Sequence, residues 1–392
     1  MNNQSNKPTK RIPHVRVLST LTALCLIQFF IANISFAQVK YSPFSDPFAT
    51  GSQGPTGVRG AGGQNVYVTG IDHPSPTATP SPGPSPTCPP PNSIGLLYVG
   101  PLSGGGASGS WTPLSYPCSP EKTITGTALY GPDALPPNNV RLVGSYMQSE
   151  NPTVINHGLL YEGPTDGSGT WQTIDYPHPP GDHVFNTIAH STMGGLVVGN
   201  FDTDDQPGRA FVYDINAGAG NHWTELPKPT GVISITAYGI WYNGGTSYTI
   251  AGGYAELGFP GNDQHGYLLN WDSSSRTVSG WRSYDFDNGQ IPVRISHFDG
   301  ITGDNQSGYY LTGTWEEGQV PTGAHIGAFF AHVRRVPHGR FGEAHWRDVE
   351  YPGPLVDSTT GNTVFENKVL GIFTVQGDTT FHGYVATVQG HR

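Results

Sequence analysis

Five tryptophans stand at matching places along the chain: Trp111 in SWTPLSYP, Trp171 in TWQTIDYP, Trp223 in HWTELPKP, Trp281 in GWRSYDFD and Trp346 in HWRDVEYP. Each follows a Gly- or His-bearing turn and opens a short alternating stretch, usually closed by proline. Their separations of 60, 52, 58 and 65 residues define one unit used five times. Repetition at that period restricts the chain to a propeller, a solenoid or an array.

Around each tryptophan the sequence reads as four short strands. A first strand resembles TAYGIWYN at 236–243, SHFDGITGD at 296–304 and KVLGIFTV at 368–375. A second carries an apolar pair, Gly and an aromatic, as in LVGSY at 142–146 and VVGNF at 197–201. A third is HGLLYEG at 157–163 or HGYLLNW at 265–271, and the tryptophan strand is the fourth. Alternating aromatic and β-branched positions bounded by Gly, Pro and Asn specify strand. With 54 Gly, 35 Pro and no long segment of helical apolar spacing, the chain reads as all-β.

The ends decide between an open and a closed array. The repeats begin with a third strand, IGLLYVG at 94–100, and finish with a first, KVLGIFTV, and a second, TFHGYVATV at 380–388. Two strands missing at one end match two left over at the other. An open array would expose those edges, whereas a ring completed from both termini has none. The expectation is a five-bladed β-propeller over 93–392, with four-stranded blades and a last blade closed by two N-terminal and two C-terminal strands. Cys88 precedes the third strand of that composite blade and Cys118 follows its fourth, so a disulfide between them would pin the hairpin.

Ahead of the repeats lie two segments of different character. Residues 1–37 carry Lys7, Lys10, Arg11 and Arg16, then an apolar run, then a small-x-small site at Ser35-Phe36-Ala37, which reads as a signal peptide. Cys25 lies inside the apolar run. Residues 38–92 combine GSQGPTGVRGAGG, with Gly every third residue, and PSPTATPSPGPSPTCPPP. They read as a flexible stalk, within which only NVYVTG at 65–70 has strand character. Without the head, 15 basic residues face 29 acidic ones, a net charge of about −14. That balance argues against nucleic acid, which needs clustered Lys and Arg. The expected protein is secreted, extracellular or periplasmic, monomeric, and free of a membrane span once the signal is removed.

The repeat wording, best seen in TIDYP at 173–177, LVVGNF at 196–201 and HGYLL at 265–269, resembles the HAF-type extracellular repeat of exported bacterial proteins. The family's usual Asn directly after Gly-Ile is absent. The resemblance implies a secreted propeller of generally unassigned activity and supplies no catalytic residues.

Candidate chemistry lies in two places. Registering the first strands on their Gly-Ile position brings Tyr130, His190, Tyr238 and Asp299 to one level of the channel, with His297 and Lys368 two residues earlier; Glu366 lies close by. Such a set suits acid–base work on a sugar, but the paired carboxylates of most glycosidases are not evident. The loops between second and third strands gather Glu150 and His157, then Asp202, Asp204 and Asp205, then Glu256, Asp263 and His265, then Glu316, Glu317 and His325 on one acidic face. Asp202, Asp204 and Asp205 could hold Ca²⁺, although the EF-hand spacing is missing; no other cofactor is expected. The tryptophans fit packing between blades better than sugar stacking, because they share the phase of the apolar pattern. The favoured expectation is a non-catalytic recognition or scaffold propeller binding a glycan or protein surface. The alternative is a carbohydrate-active enzyme, a glycoside hydrolase or lyase, with its site at the channel mouth.

Overall fold

A computed structural model describes residues 39–47, 51–74, 90–150, 153–258, 261–287, 289, 293–317 and 325–389. The expected signal peptide, Cys25, Cys88 and the Pro/Ser/Thr run lie outside them. Val39–Val388 form one unit.

The chain is all-β. A short strand β1 (Val39–Pro43) precedes an antiparallel meander of β2 (Ser52–Gly62), β3 (Asn65–His73), β4 (Ile94–Pro101) and β5 (Ser110–Leu114). The same meander recurs as β6 (Ile124–Leu135), β7 (Asn139–Gln148), β8 (His157–Gly163) and β9 (Thr170–Thr173). It recurs again as β10 (Val184–Met193), β11 (Leu196–Thr203), β12 (Arg209–Asp214) and β13 (Trp223–Glu225). A fourth copy is β14 (Val232–Gly244), β15 (Ser247–Gly258), β16 (Gly261–Asp272) and β17 (Thr277–Tyr284). A fifth is β18 (Val293–Gly303), β19 (Gly308–Glu317), β20 (Ile326–Val336) and β21 (Arg340–Val349). The chain ends with β22 (Val356–Phe365), β23 (Lys368–Val375) and β24 (Phe381–Val388). There β1 returns as the fourth strand, antiparallel to β24 with Val39 opposite Val388.

Three of these sheets are separate and four-stranded, and the other strands share one twelve-stranded sheet. That sheet is joined only by single parallel pairs, Gln264 with Ile295 and Ile326 with Ser358, and so divides into three further four-stranded groups. The first strands β2, β6, β10, β14, β18 and β22 pack beside one another in that order, and β22 packs beside β2.

This pairing corrects the expected count and closure. β4 and β5 pair within their own group, with β3 and β2, not with the C-terminal strands. Val39–Pro43, Ser52–Gly62 and Asn65–His73 of the expected stalk are therefore sheet. KVLGIFTV is a second strand and FHGYVATV a third; the first strand of that group is VDSTTGNTVF, whose threonines hide it from an apolar pattern. The termini share the last group as one strand plus three. Tyr41 opposite Ala386 takes the place that Trp171 has opposite Tyr161, and Phe44 donates its N–H to Gly383 O as Ile174 does to Gly158 O. A tyrosine at the sixth marker is why tryptophans alone count five.

The repeat motifs work as staples between groups. The aromatic five residues after the tryptophan stacks on the second-strand aromatic of the next group: Tyr116 on Tyr146 at 3.9 Å, Tyr176 on Phe201 at 3.6 Å and Tyr351 on Phe373 at 3.7 Å. Its backbone N–H is held by a hydroxyl of the next first strand, Thr127 for Tyr116, Thr187 for Tyr176 and Thr359 for Tyr351. The half-buried tryptophans pack against third-strand rings of their own group, as Trp171 does on Tyr161 at 4.7 Å and Trp223 on Phe211 at 4.9 Å. Such pairs add about 0.5–1.5 kcal/mol beyond their burial.

Gly57 shows how tightly the first strands approach. A Cβ there would lie 1.8 Å from the Tyr130 carbonyl oxygen, whereas one on Gly60 would meet only the Phe365 ring at 3.6 Å. Gly57→Ala is expected to cost at least about 3 kcal/mol, because a backbone carbonyl cannot step aside as a side chain can. Gly60→Ala should change stability by no more than about 0.5 kcal/mol. Denaturant melts of both variants check this; equal stability would mean that residues 51–73 are a linker after all.

Candidate functional site

Each first strand contains a bulge at the same point. Pairing skips one residue between Pro55 and Gly57, Leu129 and Gly131, Ala189 and Ser191, Ala237 and Gly239, Phe298 and Gly300, and Gly361 and Thr363. An unpaired residue bends and twists its strand and re-aims its own side chain. The skipped residues are Thr56, Tyr130, His190, Tyr238, Asp299 and Asn362. All but Asn362 line one cavity, together with Arg59 and the residues that follow the bulges.

Four of the six match the expected channel level of Tyr130, His190, Tyr238 and Asp299, and His297 lies beside them. Lys368 does not. It opens β23, a second strand, next to the turn at Glu366, because the segment taken for an inner strand lies one place further out. Sequence reasoning missed Thr56 and Asn362. Thr56-Gly57-Val58 repeats the pattern of Tyr238-Gly239-Ile240 inside a stretch that looks like linker. Both missed residues join neighbouring strands: Thr56 Oγ1 donates to Leu129 O at 2.5 Å and Asn362 Nδ2 to Pro55 O at 2.8 Å.

The remaining wall is a chain of rings. Tyr130 and His190 are 5.2 Å apart, His190 and Tyr238 4.8 Å, and Tyr238 and His297 5.6 Å between centroids. His190 Nε2 meets Asn200 Oδ1 at 2.8 Å. An amide oxygen only accepts, so Nε2 carries the hydrogen and Nδ1 is left as the acceptor. Burial pushes the His190 imidazole down to about 4, against a smaller upward pull from the Asn200 bond and the charge of Asp299. Burial also pushes the Tyr130 and Tyr238 phenols up, so both stay protonated at neutral pH.

His297 has the opposite balance. Its burial opposes charging, yet the charge and hydrogen bond of Asp299 outweigh this and raise its pKa. Nε2 of His297 lies 3.1 Å from Asp299 Oδ1, and Thr314 Oγ1 donates to Asp299 Oδ2 at 3.4 Å. The cavity is narrow, with room for about one water molecule. Asp299 is the one carboxylate among its lining residues.

The loop candidates behave differently. His157, His265 and His325 each pair with an acid four residues after a tryptophan: Asp175 at 2.7 Å, Asp285 at 2.6 Å and Glu350 at 2.9 Å. Glu150 accepts the Thr123 N–H at 2.8 Å. Glu256 and the Asp263 backbone lie opposite each other where β15 and β16 extend past the sheet, and Glu316 and Glu317 end β19. Asp202 accepts from Asn186 Nδ2 at 2.9 Å and Gly208 N at 2.6 Å, Asp204 faces His183 at 3.8 Å, and the Asp205 N–H bonds Asp182. Asp202, Asp204 and Asp205 therefore do not converge, and among the described residues no group of three or more His, Cys, Asp or Glu could hold a metal ion. No helix of the described residues is long and apolar enough to cross a membrane.

No family model and no curated protein matches the chain. A solved protein of unknown function from Dyadobacter fermentans is 11% identical with a TM-score of 0.51, matched over 90% of this chain and 99% of its own. Trypanosoma rangeli sialidase in complex with the inhibitor DANA is 8% identical with a TM-score of 0.45, over 90% of this chain and 60% of its own. A glycoside hydrolase is 10% identical with a TM-score of 0.42, over 94% and 96%. What stands of the expected HAF-type propeller is a β-propeller-like, all-β fold. The expectation of a non-catalytic recognition or scaffold module is corrected by these neighbours, two of which are described as enzymes.

The two channel histidines should titrate apart. Imidazole NMR signals of His190 are expected to move with a midpoint near 4, and those of His297 above the usual 6.5. His297 then stabilises the fold below pH 6.5, a contribution lost as pH rises through its folded pKa. Coincident midpoints would contradict the partner assignments.

Proposed function

We propose that the chain is an exported, six-bladed β-propeller enzyme that cleaves a glycan at its channel mouth. The six four-stranded groups serve as blades, closed by β1 on β24. The observation that carries the enzymatic reading is the neutral His190, with a free acceptor nitrogen, between two protonated tyrosines. Two-carboxylate hydrolysis needs a second acid beside Asp299, and the lining supplies none. Eliminative cleavage of a uronate-containing glycan needs a base and a proton donor, and this wall has both. His190 Nδ1 takes the proton beside the uronate carboxyl, the electron pair forms the ring double bond, and the glycosidic C–O bond breaks. The Tyr238 hydroxyl protonates the departing oxygen. The cavity is small, so the sugar lies across the mouth and presents only its reacting edge.

The test uses residues 38–392 on uronate-rich and neutral polysaccharides, reading ultraviolet absorbance of an unsaturated product and, separately, new reducing ends. Absorbance should rise only with uronates. His190→Ala should lower kcat/KM by about 10²–10⁴-fold, and the wild-type rate should fall as pH drops through about 4, where His190 takes up a proton. Reducing ends without absorbance would replace elimination by hydrolysis, and no cleavage of any polysaccharide would end the enzymatic reading.

Export is supported by the basic and apolar head and by Cys118, a disulfide-bonded cysteine. Its proposed partner is Cys88. The pair would bracket β4 and β5, a hairpin within one blade, so the bond pins that blade and not the ring closure. Closing a loop of about 30 residues is worth roughly 3–4 kcal/mol in the chain-entropy model. Cys88→Ala should therefore lower Tm in oxidising buffer and leave it unchanged under reduction relative to wild type; an unaltered oxidised Tm would remove the bond.

A further inference from the structure

The bulge residues are held in different ways, and the difference lies one strand further out. In each group the second strand sets one residue opposite the position two before the bulge: Ile71, Ser145, Asn200, Gly253, Thr314 and Ile372 in chain order. Where that residue carries a polar side chain, it bonds the bulge residue of its own group. Ser145 hydrogen-bonds the Tyr130 phenol, Asn200 Oδ1 meets His190 Nε2 at 2.8 Å, and Thr314 Oγ1 donates to Asp299 Oδ2 at 3.4 Å. Where it is isoleucine, Thr56 and Asn362 turn instead to carbonyls of neighbouring first strands. Gly253 makes room for His297, whose Cβ would lie 2.6 Å from a Cβ added there.

Among these partners, Asn200 is the one that faces an imidazole. It is 8% exposed, and the pairing of its backbone with Ile188 fixes its place on β11. Its amide oxygen accepts and cannot donate, so it selects the tautomer with hydrogen on Nε2 and keeps Nδ1 bare. It also brings no charge to offset the desolvation of an imidazolium. The other groups around His190 are Tyr130 of β6, Tyr238 of β14, Asp202 of β11 and Asp299 of β18, while Arg59 of β2 bonds the adjacent Ser191. Both acids pull the imidazole upward, and burial outweighs them. His297 shows the other outcome in the same channel, where a carboxylate partner reverses the balance.

We propose that Asn200 is the positioning residue of the channel: its amide oxygen fixes the His190 tautomer and, being uncharged, keeps His190 a neutral base into the acid range. The consequence for rate rests on the glycan-cleaving reading; the control of the imidazole does not.

The test is Asn200→Asp, which keeps the shape and exchanges the amide for a carboxylate. Imidazole NMR should show the His190 midpoint rise from about 4 past 6.5. On a uronate polysaccharide, kcat/KM at about pH 5.5 should fall at least about tenfold below wild type and recover by about pH 8. A merely structural role would lower the rate alike at every pH. A midpoint that stays near 4 overturns the inference, whether or not the wild type cleaves a glycan. A raised midpoint with no cleavage by the wild type upholds the control of His190 and removes only the reaction. Should Asn200→Asp fail to fold, the ring-nitrogen NMR shifts of the wild type at neutral pH decide. Hydrogen on Nε2 with Nδ1 bare supports the inference, and hydrogen on Nδ1 overturns it.

Discussion

The fold depends on how closely six backbones can approach one another. A side chain at Gly57 would strike the Tyr130 carbonyl, one at Gly131 would come 2.7 Å from Ser191 Cα, and one at Gly300 would come 2.7 Å from Thr363 Cα. Strands this close tolerate glycine best. Each relieves the crowding by a bulge one residue earlier, and the bulge aims that residue inward. Crowding thus fixes both the glycine and the functional side chain beside it, which is why the ring of Tyr130, His190, Tyr238 and Asp299 follows the Gly or Ser positions so regularly.

The same constraint made part of the chain hard to read. The register of Tyr238-Gly239-Ile240 and Asp299-Gly300-Ile301 was legible because bulky apolar residues follow the glycine. In β2 the strand is SQGPTGVRGAG, and its glycine content imitates a linker. In β22 threonine and asparagine replace the apolar pattern, since an inner strand faces polar groups on the axis and needs little hydrophobic surface there. Losing these two strands shifted KVLGIFTV inward by one place and carried Lys368 with it. A local signal for the true closure did exist: KYSPFSDP at 40–47 parallels SWTPLSYP at 110–117, with prolines and serine in step and tyrosine for tryptophan.

Outside the ring, the conspicuous residues mostly hold groups together. Tyrosines of the IDYP-type segments are spent in stacks at 3.6–3.9 Å, and the histidines opening third strands are spent on acids of the same segments. A repeat that must join identical neighbours uses its most recognisable residues at the joints. The least repeated positions then become the informative ones, and the bulge ring is where the six groups differ most in chemistry: Thr, Tyr, His, Tyr, Asp and Asn.

That difference sets the electrostatics of the axis. His190 and His297 are both withdrawn from water, and burial alone would lower both. What separates them is one partner atom: an amide oxygen on Asn200 for the first, a carboxylate on Asp299 for the second. The amide cannot offset desolvation and leaves a neutral base, whereas the carboxylate more than offsets it and raises the His297 pKa. Environments that push two like groups apart are how one scaffold carries distinct acid–base roles at a single pH. Here the separation needs no loop rearrangement: His190 is the bulge residue of β10 and faces Asn200 on β11, whereas His297 lies two residues before the bulge residue Asp299 of its own strand β18.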